Sequence, residues 1–235
     1  MAHRIKKCLI GARYTEEIIE LNHLGIETIP LSHNPHLDDE ICNHADILAF
    51  NFWNEKLFAD SRIAGETQQI SNDIPFVFCD TIKSPYPHDV GLNVALLGNK
   101  LICNTKTVFE EILKYAKQKN LQILDTKQGY TKCNLCLLNE NAVITEDKGL
   151  SSLLKNYQID VLTIHSGYVG LSDKHYGFIG GAGARLSDNE IYFSGNISSH
   201  PDYGDITQFL YKYGFTAIYN KNRPLKDFGG FIAID

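Results

Sequence analysis

Residues Leu92–Asn104 read LNVALLGNKLICN. Two short apolar runs flank a Gly-Asn pair, which supplies the positive φ of a two-residue hairpin turn. The stretch therefore predicts a strand, a turn at Gly98–Asn99 and a second strand. In the segment that follows, TKTVFEEILKYAKQKN, Val108, Ile112, Tyr115 and Ala116 share one helical face, and Thr107 and Glu110 have capping-box spacing. The short apolar strand LQIL then closes the unit.

The same order recurs along the chain. CNLCLLNENAVIT is a hairpin turning at Asn139–Asn141, EDKGLSSLLKNYQ a helix and IDVLTI a strand. GFIGGAGARLSDNEIYFSG turns at Ser187–Asn189, before the helix PDYGDITQFLYKYG, with Pro201 at its first position, and the strand FTAIYN. Upstream, DILAFNFWNEKLFAD turns at Asn54–Lys56, SRIAGETQQI is a weaker helix and IPFVFCD the strand. Units repeating every ~35 to 45 residues fall within the range of repeat architectures.

The chain ends supply one more unit. GGFIAID is a lone strand at the end, while IKKCLIG, the helix TEEIIELNHLG with Gly25 just past its end, and IETIPL come first. Joined end to start, they complete a fifth repeat. The expected fold is α/β, a five-bladed αβ-propeller of ββαβ repeats closed by pairing of the N- and C-terminal strands. It is expected to be a single domain over residues 1–235. Its blades span residues 44–80, 88–126, 130–165 and 176–220, with 226–235 joined to 1–31.

Composition narrows the function. Of 235 residues, 43% are hydrophobic and 21% charged, and apolar runs are short, so neither disorder nor a membrane span is expected. The run CLIGA is too short for a signal peptide, which points to the cytoplasm and to six reduced cysteines. A net charge of −6 disfavours nucleic acid as a partner. The expected partner is a small-molecule ligand, with no cofactor, nucleic acid or membrane; oligomeric state is left open.

GYTKCNLC, Gly129–Cys136, holds a C-x-x-C pair that suggests zinc or dithiol chemistry. Read as the start of a blade strand, however, Cys133 and Cys136 lie three apart and point to opposite faces. No metal site is expected there. Cys136 reads as a core thiol, and the role of Cys133 stays open.

Five ββαβ blades closed by the termini resemble the pentein, or guanidine-modifying-enzyme, fold. More closely, NHADI, NVALLGN, GYTKC, YGFIGGAG and DFGGFIAI, in that order, resemble the clostridial DUF6873 family assigned to that fold. The resemblance implies a central site at the starts of the first strands. There a cysteine attacks a guanidinium carbon, a histidine shuttles protons and acidic residues hold the planar cation. Asp46 of HADI matches the guanidinium-binding acid. Tyr130 stands where the histidine is expected, and GGFIAID offers Gly229 and Gly230 but no thiol.

Other candidates follow from position. His44 and Asp46 share strand parity before a blade strand, so both can face one way. Lys132, between Tyr130 and Cys133, can bind an anion or lower a thiol's pKa. Asn93 and Asp227 begin two further blades. Gly180 and Gly181 of GGAG lie beside the expected axis, where missing side chains permit close backbone approach or an open channel. His200 reads as a cap or surface residue, and His165 as structural. The ligand-binding set is thus Asp46, Asn93, Tyr130, Lys132, Gly180, Gly181 and Asp227.

Three functions fit these residues. The first is a protein binding a small polar ligand, cationic, guanidino or amino-acid-like, without the usual Cys/His machinery. The second is a hydrolase or amidinotransferase-like enzyme using Cys133 as nucleophile and His44 as base. The third is a protein–protein module like the ribosome anti-association factor of the same fold.

Overall fold

The computed structural model describes residues 4–66, 70 and 74–234. These fall into two compact units. One comprises residues 5–131 with 231–234 and carries three sheets; the other comprises residues 4 and 132–230 and carries two.

The three-sheet unit begins with β1 (Lys7–Gly11), α1 (Thr15–His23) and β2 (Glu27–Leu31). A one-turn helix α2 (Ala45–Leu48) leads into β3 (Ala49–Phe52), β4 (Lys56–Asp60) and β5 (Phe76–Cys79). β6 (Ala95–Leu97), β7 (Lys100–Cys103), α3 (Glu110–Gln118) and β8 (Gln122–Asp125) follow. The two-sheet unit holds β9 (Leu135–Asn139), β10 (Ala142–Thr145), α4 (Lys148–Asn156) and β11 (Asp160–Thr163). Its second sheet comes from the one-turn helix α5 (Ile179–Ala182), β12 (Gly183–Arg185), β13 (Glu190–Phe193), α6 (Tyr203–Lys212) and β14 (Thr216–Tyr219). β15 (Ile232–Ala233) belongs to the three-sheet unit.

All five sheets share one plan. A first strand runs antiparallel to a second, and the second pairs in parallel with a third. The split repeat obeys it too: β15 pairs antiparallel with β1 through Cys8↔Ala233 and Leu9↔Ile232, and β1 pairs in parallel with β2. The Gly-Asn hairpin forms as read, with Leu97 opposite Lys100 and Gly98 at φ +54°.

The four longer helices end alike. A left-handed residue follows each last turn: Gly25, Asn120, Gln158 and Gly214. The next residue's N–H returns to a carbonyl five residues back: Ile26 to Leu21, Leu121 to Ala116, Ile159 to Leu154, Phe215 to Leu210. This is the Schellman closure, which satisfies orphan carbonyls and sets the apolar residue immediately before the third strand. Only two of the four left-handed positions are glycine, so the repeat is weaker in sequence than in geometry.

Several local expectations are corrected. α3 starts at Glu110 with Phe109 as its N-cap, and Thr107 instead bonds the Asn104 carbonyl, so no capping box forms. Pro201 lies before Asp202, the N-cap of α6, and is not the first helical residue. The turn expected at Asn54–Lys56 comes one residue earlier, because Lys56 already pairs with Phe52. Of the helix expected over residues 61–70, Ser61–Ile63 form a 3-10 turn capped by Asp60, and residues 67–69 lie outside the described residues.

Each unit has its own core. In the two-sheet unit, Cys136, Leu138, Ile144, Phe193, Ile206 and Leu210 pack together beneath α6. In the three-sheet unit, Tyr115 of α3 meets the rings of Phe52 and Phe58 edge-on at 4.8 and 6.1 Å.

Candidate functional site

In the three-sheet unit, the expected pair His44 and Asp46 is wholly buried, at 1% exposure each. They do not precede a strand with shared parity. His44 is the N-cap of α2 and Asp46 lies within that helical turn, so strand alternation does not set their directions. ADIL is too short to show a helical period, which hides its single turn of helix. Asn93, also buried, donates its amide to the Asp46 carbonyl at 2.9 Å and so ties the start of the next blade to this turn. The ring of Tyr14 lies 5.8 Å from that of His44.

Tyr130 is held by a residue the sequence reading passed over. Its hydroxyl donates to Oδ2 of Asp89, a carboxyl only 1% exposed. Burial pushes the Asp89 carboxyl above the usual range, and the Tyr130 hydroxyl partly offsets this. Tyr86 stands beside them, its ring 5.7 Å from that of Tyr130.

In the two-sheet unit, Lys132, Cys133, Gly180, Gly181 and Asp227 come together. Residues 131–134 form a turn ahead of β9, so Cys133 is not on a strand and the parity argument that set it against Cys136 does not hold. Cys133 is 3% exposed, and its carbonyl accepts the Gly181 N–H at 3.0 Å. Lys132 Nζ donates to the Gly180 carbonyl at 2.9 Å. Gly180 and Gly181 lie in the one-turn helix α5 and not in the expected strand, which begins only at Gly183.

Both glycines are accounted for by packing. A Cβ on Gly180 would lie 2.4 Å from the Lys132 carbonyl, and one on Gly181 2.1 Å from Asp227 Oδ1. Asp227 itself is fixed by two backbone donors, Phe178 N–H to Oδ2 and Gly229 N–H to Oδ1, each at 2.9 Å. Cys136 is a core thiol as expected, and burial pushes its pKa up to about 12. Among the described residues, no three His, Cys, Asp or Glu side chains form a group that could hold a metal.

Glu146 was also passed over, because TEDKG reads as a helix start and either acid could serve as its cap. Asp147 takes that role, accepting the Leu150 N–H at 2.8 Å. Glu146 turns inward instead. Its Oε2 accepts the Ile179 N–H at 3.2 Å, while its buried Oε1 has no hydrogen-bond partner. Burial, helped by the charge of Asp227, raises its pKa from 4.5 to about 7. Such a carboxyl keeps its proton in the folded state after the unfolded chain has lost it. Stability therefore falls as pH rises through this window, by up to ~3 kcal/mol. Glu146→Gln should remove that slope and melt above the wild type near pH 8. Identical pH dependence in urea titrations of both proteins would refute this.

His200 is buried, contrary to the surface reading. Its Nδ1 accepts the Asp202 N–H at 3.1 Å and its Nε2 faces the His165 carbonyl at 3.2 Å, an arrangement that suits a neutral ring. Burial lowers its pKa accordingly. His165 is exposed, and its ring bonds Asp202 at 2.8 Å.

The model of a family described as "Family of unknown function (DUF6873)" matches residues 9–232. The chain belongs to that family. No curated protein matches it in sequence. Among solved structures, this DUF6873 chain is similar to an amidinotransferase of saxitoxin biosynthesis from Microseira wollei. The TM-score is 0.60 at 9% identity, over 100% of this chain and 95% of the other. It is likewise similar to a DDAH from Pseudomonas aeruginosa, a cysteine-to-serine mutant complexed with citrulline. There the TM-score is 0.59 at 9% identity, over 97% of each chain. Agmatine deiminase of C. jejuni follows with a TM-score of 0.56 at 12% identity, over 92% of this chain and 87% of that one. The DUF6873 chain thus has the pentein fold of guanidine-modifying enzymes. Among its described residues no helix is long and apolar enough to cross a membrane.

Proposed function

We propose that the chain binds a small cationic ligand, guanidino or amino-acid-like, and does not degrade it by thiol attack. The observation that carries this reading is the burial of Asp46, 1% exposed, in a helical turn whose backbone Asn93 ties to the next blade. A carboxylate removed from water attracts a cation far more strongly than one on the surface. The solved structures it resembles support the cationic class, since they include an agmatine deiminase and an amidinotransferase.

The chain's own residues speak against thiol chemistry here. Attack on a guanidinium carbon needs a placed thiolate and a proton donor. Where the resemblance expects the thiol, the chain runs Phe231, Ile232, Ala233, Ile234. Where it expects the histidine stands Tyr130, whose hydroxyl is engaged by Asp89.

Thermal shift and calorimetry with arginine, agmatine, dimethylarginine and lysine, against glutamate and succinate as controls, test the reading. Saturation at one hundred times the dissociation constant stabilises by about 2.7 kcal/mol, or ~5 to 10 °C in a chain of this size. Asp46→Asn should weaken binding at least ~10-fold, about 1.4 kcal/mol. No shift with any cation, or unchanged affinity in Asp46→Asn, would overturn it.

A further inference from the structure

We propose that Asp89 Oδ1, with the rings of Tyr86 and Tyr130, accepts an alkylammonium group in preference to a guanidinium. The inference rests on the cationic-ligand reading and narrows it. Asp89 is 1% exposed, and Oδ1 is a buried oxygen with no hydrogen-bond partner. A buried carboxylate oxygen in that condition costs free energy that a donor would recover.

The neighbours decide which donor fits. Oδ2 is already occupied by the Tyr130 hydroxyl, so the carboxylate offers one free acceptor. A guanidinium presents a planar fork that is best met by two parallel oxygens, so a singly available oxygen suits it poorly. An ammonium is a compact point charge with freely rotating donors. One oxygen and an aromatic face suffice for it. Tyr86, about half exposed, lies 5.7 Å from Tyr130 and supplies the face that solvent reaches. Gly129 lets it sit there, because a Cβ would lie 2.7 Å from the Tyr86 ring.

The experiment compares matched pairs by calorimetry: lysine against arginine, and cadaverine against agmatine. The wild type should prefer each amine by about tenfold or more, and Asp89→Asn should abolish that preference through loss of amine affinity. Tyr130→Phe frees Oδ2 and should narrow or invert the preference, which a merely structural role for Asp89 would not do. Tyr86→Ala, at an exposed position, should weaken the amines several-fold even if a buried variant folds poorly. Guanidines bound as tightly as amines by the wild type, or full amine affinity in Asp89→Asn, would sink the proposal. If Asp46→Asn weakens guanidine binding while Asp89→Asn changes nothing, this inference fails and the broader reading stands. If no cation binds the wild type, both fail.

Discussion

Deletion of residues 228–235 should abolish cooperative folding, although it removes only a short tail in sequence. In the two-sheet unit, Phe228 is fully buried, edge-on to Tyr192 at 6.1 Å, and Phe228 and Gly230 both donate N–H groups to the Gly181 carbonyl. The deletion also takes Gly229, whose N–H holds Asp227 Oδ1. In the three-sheet unit it removes β15, uncovering the edge of β1, and with it Ile234, which is 3% exposed. Asn51 loses the Ala233 carbonyl to which its amide donates at 2.6 Å. A buried Phe is worth ~3 to 5 kcal/mol and a buried Ile ~2 to 5, before counting the opened strand edge. Against a total stability of ~5 to 15 kcal/mol, little is left. Circular dichroism of the truncated chain should show no cooperative melt. A sigmoidal transition within a few degrees of the wild type would contradict the split fifth repeat.

Gly181→Ala should strongly destabilise the fold at the candidate site, although it adds only one methyl group. The new Cβ would overlap the Asp227 carboxylate, 2.1 Å from Oδ1 and 2.5 Å from Cγ. Asp227 has no easy retreat, because backbone N–H groups fix both oxygens. Overpacking alone costs ~1 to 3 kcal/mol, and tearing a buried carboxylate from its donors adds more. A loss of ~3 kcal/mol corresponds to ~6 to 12 °C in melting temperature at this chain length. Gly204→Ala is the control: it lies in α6 with no atom within 4 Å of the added Cβ, and should be neutral or slightly stabilising. Equal melting temperatures for the two variants would show that the Gly181–Asp227 approach is not tight.

The blades were legible because each is written in local signals. The Gly98–Asn99 turn, the apolar pairs around it and Gly25 past its helix each act within a few residues, and all form as read. The site was legible only in part. The helical turns at ADIL and IGGA are too short to show a period, so they pass for strand, and with them went the directions of Asp46 and Gly181. Asp89 lies in a proline-rich loop, and its meaning comes from Tyr130, a partner 41 residues away. Glu146 was masked by Asp147, which carries the cap beside it. Hydrogen bonds of that span leave no mark in the spacing of neighbouring residues.

The central claim, cation binding without thiol chemistry, is tested most directly by calorimetric titration of the intact protein with arginine, agmatine, lysine and cadaverine. Released ammonia and citrulline are assayed in the same mixtures. The account predicts saturable heat for at least one cation, weakened in Asp46→Asn, and no product above background. Absence of heat with every cation, or product that disappears in Cys133→Ser, would contradict it.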